Sequence, residues 1–431
     1  MKTLGIIAEF NPFHKGHEYF INQAKEITGC DRVIVVMSGD YVQRGMPAII
    51  SKEKRAKCAL LNGADMVFEL PTYYSLSSAQ YFARGAVNIL DKLGVIDCIA
   101  FGSECADMSL LQKVSDIILG DSTEYNEIIM KELTCGKSFP AARMAAINTS
   151  VGKTPASLDE ITNALMSPNN ILGIEYLCAL NHFKSKMKPY TIKRIGQGYN
   201  DEDRALSDDN SFSSASSIRK QLNEFSSKSS VFRDVPENTL EYLIGDAQFK
   251  AYISSSQKSF CDKEIPISYP GIDDFSEILA QKLYFEKDFS IYADVSSDLS
   301  DKIIKYSDIF ETITDFADIL KSKDMTYSRI IRSLIHIVLN MTNEEMKKIK
   351  EENYPVYLRP LGFRRNSADL FTKIKEKASL PLVSKLADSG NILDEKALFL
   401  LNADIAASRL YGTINKNDPR INEYAKSLQI I

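Results

Sequence analysis

The stretch Thr3-Leu4-Gly5-Ile6-Ile7-Ala8-Glu9-Phe10-Asn11-Pro12-Phe13-His14-Lys15-Gly16-His17 decides how the rest of the chain is read. Thr3 to Ala8 is an apolar run of strand length, and Asn11-Pro12 is a turn signal. A helical pattern opens near His17 and carries Tyr19, Phe20, Ile21 and Ala24. Gly16 has no Cβ, so the backbone there can pass close to a ligand. His14 and His17 are three residues apart, so both imidazoles can face one space where the helix opens. The free N–H groups and positive dipole end of a helix favour an anion at that point. Two donor side chains, a glycine and a helix N-terminus suit a nucleotide phosphate.

The chain holds four histidines, and two of them lie in this tetrapeptide. An H-x-x-H pair by itself is weak, but its position between a strand and a helix favours a functional reading. A zinc protease carries H-E-x-x-H, with the histidines four apart, and that pattern is absent. No metal held by protein ligands alone is expected. Asn11-Pro12-Phe13-His14-Lys15-Gly16-His17 resembles the H-x-G-H signature of the nucleotidylyltransferase superfamily, which includes the class I tRNA synthetases. Gly5 to His14, Ser38-Gly39-Asp40-Tyr41-Val42-Gln43-Arg44-Gly45 and Phe101-Gly102-Ser103-Glu104 together resemble the bacterial tRNA(Met) cytidine acetate ligase family. The resemblance runs over most of the chain and is strongest in the first half.

At 431 residues the chain is long enough for two or three domains. Hydrophobic content of 44% and charged content of 25% are those of a globular protein. No apolar run approaches the roughly 18–20 residues of a membrane span. The first residues read as a buried strand without an apolar signal core or cleavage site, so no export is expected. Seven scattered cysteines with no C-x-x-C pair imply reduced thiols and a cytoplasmic location. A net charge of −5 neither supports nor excludes RNA, because phosphate contacts depend on a local basic face.

Apolar runs at Arg32–Met37, Asp65–Leu70 and Asp97–Phe101 read as further strands, alternating with helices over Ser51–Leu61 and Ser77–Leu93. That alternation predicts an α/β, Rossmann-like parallel sheet, with ligands beyond the carboxyl ends of its strands. The turns Glu9–Gly16, Ser38–Gly45 and Gly102–Glu104 all fall at such ends. Met108 to Ser150 is helical in period, Ser167 to Leu177 reads as a capped helix, and Tyr190–Ile195 as a strand. Gln197 to Ser211 reads as a mobile loop, and the serines at 226–230 as a boundary. The expected division is a nucleotidylyltransferase-like (HUP-type) domain over 1–228 and a mainly helical domain over 229–431. Helices there are expected over Tyr327–Leu339, Glu344–Glu352, Asp369–Ala378 and Asp394–Tyr411.

Ser213-Ser214-Ala215-Ser216-Ser217-Ile218-Arg219 is the second constellation. Its serines either cap a helix or offer hydroxyl and N–H donors to phosphate, and Arg219 supplies a forked cation. It resembles the I-S-S-T-x-I-R element that follows H-x-G-H in nucleotidylyltransferases, with Ala215-Ser216 where Ser-Thr is common. Arg44 reads as an active-site cation or a turn arginine. Asp40 reads as a group that polarises a donor or helps hold Mg2+. Arg359, Arg364, Arg365, Lys373, Lys375 and Lys377 cluster with Tyr357 and Phe363; Arg329 and Arg332 lie near Tyr327. Both groups are either solvated helix faces or a surface for single-stranded RNA. His182 and His336 read as structural.

The resemblance implies ATP as substrate, with Mg2+ accompanying it. It implies nucleotide contacts at Ile7, Ala8, Glu9, Phe10, Asn11, Pro12, Phe13, His14, Gly16, His17, Gly102, Asn170, Arg194 and Ser217, and catalytic roles for His14, Lys15, His17 and Arg219. It implies that acetate is activated as acetyl-adenylate and passed to N4 of the wobble cytidine, position 34, of elongator tRNA(Met). Arg329, Arg332, Arg359, Arg364 and Arg365 are the expected contacts to its anticodon loop. The rivals are a cofactor-making adenylyltransferase, which leaves some 200 helical residues unexplained, and a non-catalytic RNA-binding protein, against which the intact motif speaks. Membrane partners are not expected, and oligomeric state stays open.

Overall fold

Buried parallel strands have both faces covered, so they read as continuous apolar runs, and four such runs open this chain. In the computed structural model, which describes residues 1–120, 122–135, 139–151, 155–195, 212–224, 234–244, 268–322, 325–354, 356–417 and 422–431, they become four of five parallel strands. These are β1 (Thr3–Ala8), β2 (Arg32–Ser38), β3 (Met66–Leu70), β4 (Cys98–Ser103) and β5 (Lys188–Lys193). Their order in the sheet is β5-β4-β1-β2-β3, with Thr3 opposite Arg32 and Leu4 opposite Cys98. The chain steps from β1 to β2 and β3 on one side and returns to β4 on the other. The gap beyond the carboxyl ends of β1 and β4 is therefore the point where strand order reverses, and open α/β sheets bind ligands there.

The crossovers are α1 (Lys15–Thr28), α2 (Lys52–Leu61), a short α3 (Thr72–Ser75) and α4 (Ala79–Lys92). The helical patch is α5 (Met108–Leu119), α6 (Ser122–Thr134), α7 (Phe139–Val151) and α8 (Pro155–Met166), closed by the buried α9 (Pro168–His182). Two shorter helices, α10 (Ala215–Glu224) and α11 (Glu237–Ile244), follow β5. Helices at Tyr327–Val338, Asn343–Glu351, Ala368–Lys377 and Glu395–Ile414 match the apolar periodicity to within a residue or two, except that the last runs three residues further. The stretches 197–211 and 226–230 lie outside the described residues. No helix among those residues is long and apolar enough to cross a membrane.

Strand alternation sorts the core into two layers. Leu4, Ile6, Val33, Val35 and Met37 face Phe13, Ile21, Ala56 and Leu60. Ile34, Val36 and Phe68 face the other way, into a cluster that continues through Leu90 and Ile174 to Leu334, Leu400 and Tyr411. The sheet likewise extends past β3 through β6 (Pro360–Phe363), which runs antiparallel to β3, and β7 (Gln429–Ile430), parallel to β6. Sheet and core thus both cross residue 228. Sequence reading misses β6 and β7, because four residues including Pro360 and Gly362, and then two, carry no periodicity.

Where β6 meets the sheet, charge is buried. Lys52 Nζ donates to Glu69 Oε1 at 2.8 Å and to Ser408 Oγ at 2.8 Å, and pairs with Glu423 Oε2 at 3.0 Å. Arg359 pairs with Glu69 at 2.9 Å and Glu423 at 2.5 Å. Asp40 caps α2, its Oδ1 accepting from Lys52 N, while its Oδ2 accepts from Ser408 Oγ. Against the upward push of burial, Lys52, Arg359 and Lys426 hold the Glu423 carboxyl down to about 2. Removing one partner of a buried ion pair typically costs about 3–5 kcal/mol, because the opposite charge stays buried. Glu423→Gln is therefore expected to lower stability by about that amount in urea unfolding at pH 7. A depressed carboxyl stabilises fully above its ordinary value, and its contribution is lost as pH falls. The wild type should lose the difference between about pH 4.5 and pH 2, and the variant should lack that part of the acid transition.

Candidate active site

His14 is the N-cap residue of α1, with extended backbone at φ −142°. Its Nδ1 accepts from Gly16 N at 3.1 Å, and His17 Nδ1 accepts from His14 N at 3.3 Å. The two imidazoles thus form a capping box in the places usually taken by Ser or Thr and Glu. A neutral imidazole that accepts on Nδ1 carries its proton on Nε2, so both rings become N–H donors. They lie 3.7 Å apart between centroids, and Phe10 packs edge-on to His17 at 4.9 Å. Burial foremost, then the charges of Arg194 and Arg219, holds the His14 pKa at about 3; burial, His14 and Arg194 hold His17 well below its ordinary value. Both are neutral donors at pH 7. A Cβ on Gly16 would stand 2.8 Å from the His14 ring, so only glycine permits this packing.

The second constellation meets the first. Phe212, just before α10, lies against Gly16 and 5.9 Å from the Tyr19 ring. Ser214 Oγ accepts from Ser217 N in the first turn of α10. Arg219 donates to the carbonyl of Asn11 at 2.6 Å and to Ser216 Oγ at 3.0 Å, so its guanidinium sits beside the tetrapeptide. Ala215 therefore leaves the serine scaffold in place. Asn11 Oδ1 accepts from Ile49 N, and Glu9 Oε1 accepts from Gln43 N at 2.7 Å, which fixes the loop that carries Arg44. Arg55, buried beneath, donates to the carbonyls of Glu9, Ser38 and Gly39 and ties the ends of β1 and β2 together. Sequence reading missed Arg55, which sits unmarked in a helical run.

Across the reversal point, Gly102 on β4 leaves room for the Arg194 side chain; a Cβ there would come within 3.1 Å of it. Arg194 donates to Asn169 Oδ1 at 3.1 Å, and Asn169 Nδ2 donates to Glu104 at 2.7 Å. The Glu104 carboxylate also accepts from Asn170 N, and Asn170 Oδ1 accepts from Glu104 N. Glu104 thus caps α9 and holds Arg194 and Asn170 beside Gly102. Glu104 was visible only as part of the quoted Phe101–Glu104 stretch.

Several expected residues are placed elsewhere. Asp40 is 2% exposed and commits both oxygens to the buried ionic cluster, where it acts as scaffold. Arg359 is 6% exposed and paired with two carboxylates, so it offers RNA nothing. β6 runs antiparallel to β3, with Phe363 opposite Met66 and Arg364 N donating to Asp65 O. Arg364 and Arg365 therefore lie at the amino end of the sheet, roughly 16 Å of strand away from the carboxyl ends. Arg329 and Arg332 lie at the site's own end: Gly45, at φ +84°, packs against the Arg332 backbone, and Arg332 Nε donates to Asp294 at 2.6 Å. Ile7, Ala8, Pro12 and Phe13 complete the β1 turn, and Lys15 is the first residue of α1. His182 bonds Asn353, and His336 lies buried between the carbonyls of Ala293 and Leu76. Among the described residues, no group of three or more His, Cys, Asp or Glu could hold a metal ion.

A parallel sheet with a cationic pocket and two imidazole donors at its reversal point defines a nucleotide-binding α/β protein of the H-x-G-H kind. A family model described as HIGH Nucleotidyl Transferase matches residues 1–426. The chain is 38% identical to the tRNA(Met) cytidine acetate ligase of Caldanaerobacter subterraneus subsp. tengcongensis, over 97% of this chain and 96% of that protein. It is 37% identical, with the same coverage, to the ligase of that name from Acetivibrio thermocellus. The crystal structure of Thermotoga maritima TmcAL bound with alpha-thio ATP superimposes with a TM-score of 0.86 at 28% identity, covering all of both chains. The chain belongs to the HIGH nucleotidyl transferase family and, within it, to the tRNA(Met) cytidine acetate ligases.

The paired caps predict a specific tautomer. Long-range proton–nitrogen NMR spectra should report both imidazoles as neutral with the proton on Nε2 from pH 5.5 to 8. Titration near 6.5, or a proton on Nδ1, would contradict the geometry. Gly16→Ala should weaken ATP binding at least tenfold, read by calorimetry, because its Cβ forces the His14 ring aside.

Proposed function

We propose that the protein is an ATP-dependent tRNA(Met) cytidine acetate ligase, which acetylates N4 of the wobble cytidine, position 34, of elongator tRNA(Met). The observation that carries this reading is the reciprocal capping of His14 and His17, which aims two neutral Nε2–H donors into one space at the reversal point. The full-length similarity to proteins named for that reaction supports the choice of substrates.

ATP binds with its triphosphate over Gly16 and the first turn of α1. An acetate oxygen attacks the α-phosphorus; the acetyl–phosphate bond forms and pyrophosphate leaves. His14 and His17 stabilise the charge gathered on the transferring group by preorganised hydrogen bonds. Lys15 and Arg219 face the β- and γ-phosphates, and Gly102, Asn170, Arg194 and Ser217 line the rest of the nucleotide site. The N4 amine of the cytidine, splayed out of its loop, then attacks the acetyl carbon and releases AMP. Mg2+ is expected to travel on the phosphate oxygens, and no step depends on a protein-held metal.

The anticodon loop is proposed to approach over the Tyr327–Val338 helix, where Arg329 and Arg332 lie one turn apart. Arg332, tied to Asp294, backs onto Gly45 next to Arg44, which puts Arg329 one turn away on the same end of the sheet as the histidines.

Radiolabelled acetate, ATP and Mg2+ should label total bacterial tRNA with the wild type and not with His17→Ala. Pyrophosphate release that depends instead on a phosphorylated small molecule would favour a cofactor adenylyltransferase. Arg329→Glu should raise the KM for tRNA about tenfold and leave the KM for ATP unchanged, whereas Arg365→Glu should change neither. The reverse result would sink the proposed approach.

A further inference from the structure

The acyl-transfer step releases a proton that the two histidines cannot take. The cytidine N4 enters as an NH2 group and leaves as an amide N–H. Each imidazole already accepts a backbone N–H on Nδ1 and carries a proton on Nε2, so neither has an acceptor left for the substrate. Arg44, Arg194 and Arg219 are donors only. Beside this pocket stands the Glu9 carboxylate, directly after β1 and bonded to the loop that carries Arg44. Glu9 Oε1 accepts from Gln43 N at 2.7 Å, which fixes the carboxyl plane, and among the described residues Oε2 has no hydrogen-bond partner. The charges of Arg219 and Arg44 fall on it, and Arg219 is bonded to the Asn11 carbonyl beside His14.

We infer that Glu9 is the catalytic base that takes the N4 proton as the cytidine amine attacks the acetyl carbon, an assignment that rests on the function proposed above. The N4–carbon bond forms, and the bond from that carbon to the adenylate oxygen breaks. Its electron pair leaves on AMP, while the N4 proton passes to Glu9 Oε2 and then to water. Burial, against the pull of the Gln43 N–H and of Arg219, Arg44 and Arg55, pushes the Glu9 carboxyl above its ordinary value, in the direction that makes a better base near neutrality. The same group explains a carboxylate in a pocket otherwise built for anions. Its Oε1 orients the Arg44 loop while its Oε2 stays open to the base that must be deprotonated.

The test separates the two half-reactions. Acetate-dependent exchange of pyrophosphate into ATP reads the first, and transfer from synthetic acetyl-adenylate to tRNA, in single turnover from pH 5.5 to 9, reads the second. Glu9→Gln keeps an oxygen for the Gln43 N–H and removes the base. It is expected to slow transfer about 100-fold at pH 7.5 and exchange far less, and to abolish the plateau that the wild-type rate reaches as pH rises. Glu9→Asp, which keeps a carboxylate, should recover part of the transfer rate and the plateau. Transfer by Glu9→Gln within threefold of wild type, or an equal fall in both half-reactions, would overturn the assignment. A wild type that does not acetylate tRNA at all would instead overturn the proposed function.

Discussion

Two hydrogen bonds between backbone and imidazole, one in each direction across the first turn of α1, organise the whole site. A helix start must satisfy its first N–H groups, and here the groups that do so are the two imidazoles proposed to bind the nucleotide. This double duty sets the tautomer of both rings and keeps them uncharged. It also packs Phe10 and Phe13 beneath them and leaves space only for glycine between them. Everything else in the pocket is positioned relative to that turn. Arg219 is tied to the Asn11 carbonyl, Ile49 to the Asn11 amide, and the Arg44 loop to Glu9.

The electrostatic logic follows. Neutral donors can sit against one another at 3.7 Å, as two imidazolium ions could not, so positive charge is supplied from the rim by Arg44, Arg194 and Arg219. Each of these comes from a different element, and β1, β2, β5 and α10 contribute only when the sheet order is correct. The site is thus a readout of the fold's topology.

Much of this was legible in the chain. Strands β1 to β4 announce themselves by apolar runs, and the helices by their period, because both patterns are repeated over several residues. The tetrapeptide and the Ser213–Arg219 element were legible for the same reason: residue types and spacing carry their chemistry locally. What escaped was whatever depends on distant pairing. β6 and β7 are too short to show a pattern, and the antiparallel register of β6 with β3 decides that Arg364 and Arg365 lie at the far end of the sheet from the site. Arg359 looks like its basic neighbours in sequence, and only the meeting with Glu69 and Glu423 turns it into scaffold. Asp40 ends a strand at the right edge of the sheet, yet its partner Ser408 lies far along the chain. Burial of a charge is a property of the partner, and partners at long range leave no local mark.

The buried ionic cluster also bears on how the protein is born. Lys52 meets Ser408 across 356 residues, and the Glu423 that neutralises it lies further on still. At 5–20 residues per second, on the order of 20–70 s of synthesis separate the emergence of Lys52 and Glu69 from that of the partners that complete the cluster. During that interval the edge of β3 is unpaired, and Lys52 and Glu69 have each other but not the second pair that closes the set. The ribosome-bound chain can form β1, β2 and β4 but cannot bury that corner without stranding charge. The nucleotide pocket, built largely from the first 220 residues, therefore has its walls well before the sheet is sealed. Its final rigidity waits on the pairing of Arg359 and Glu423 with Lys52 and Glu69.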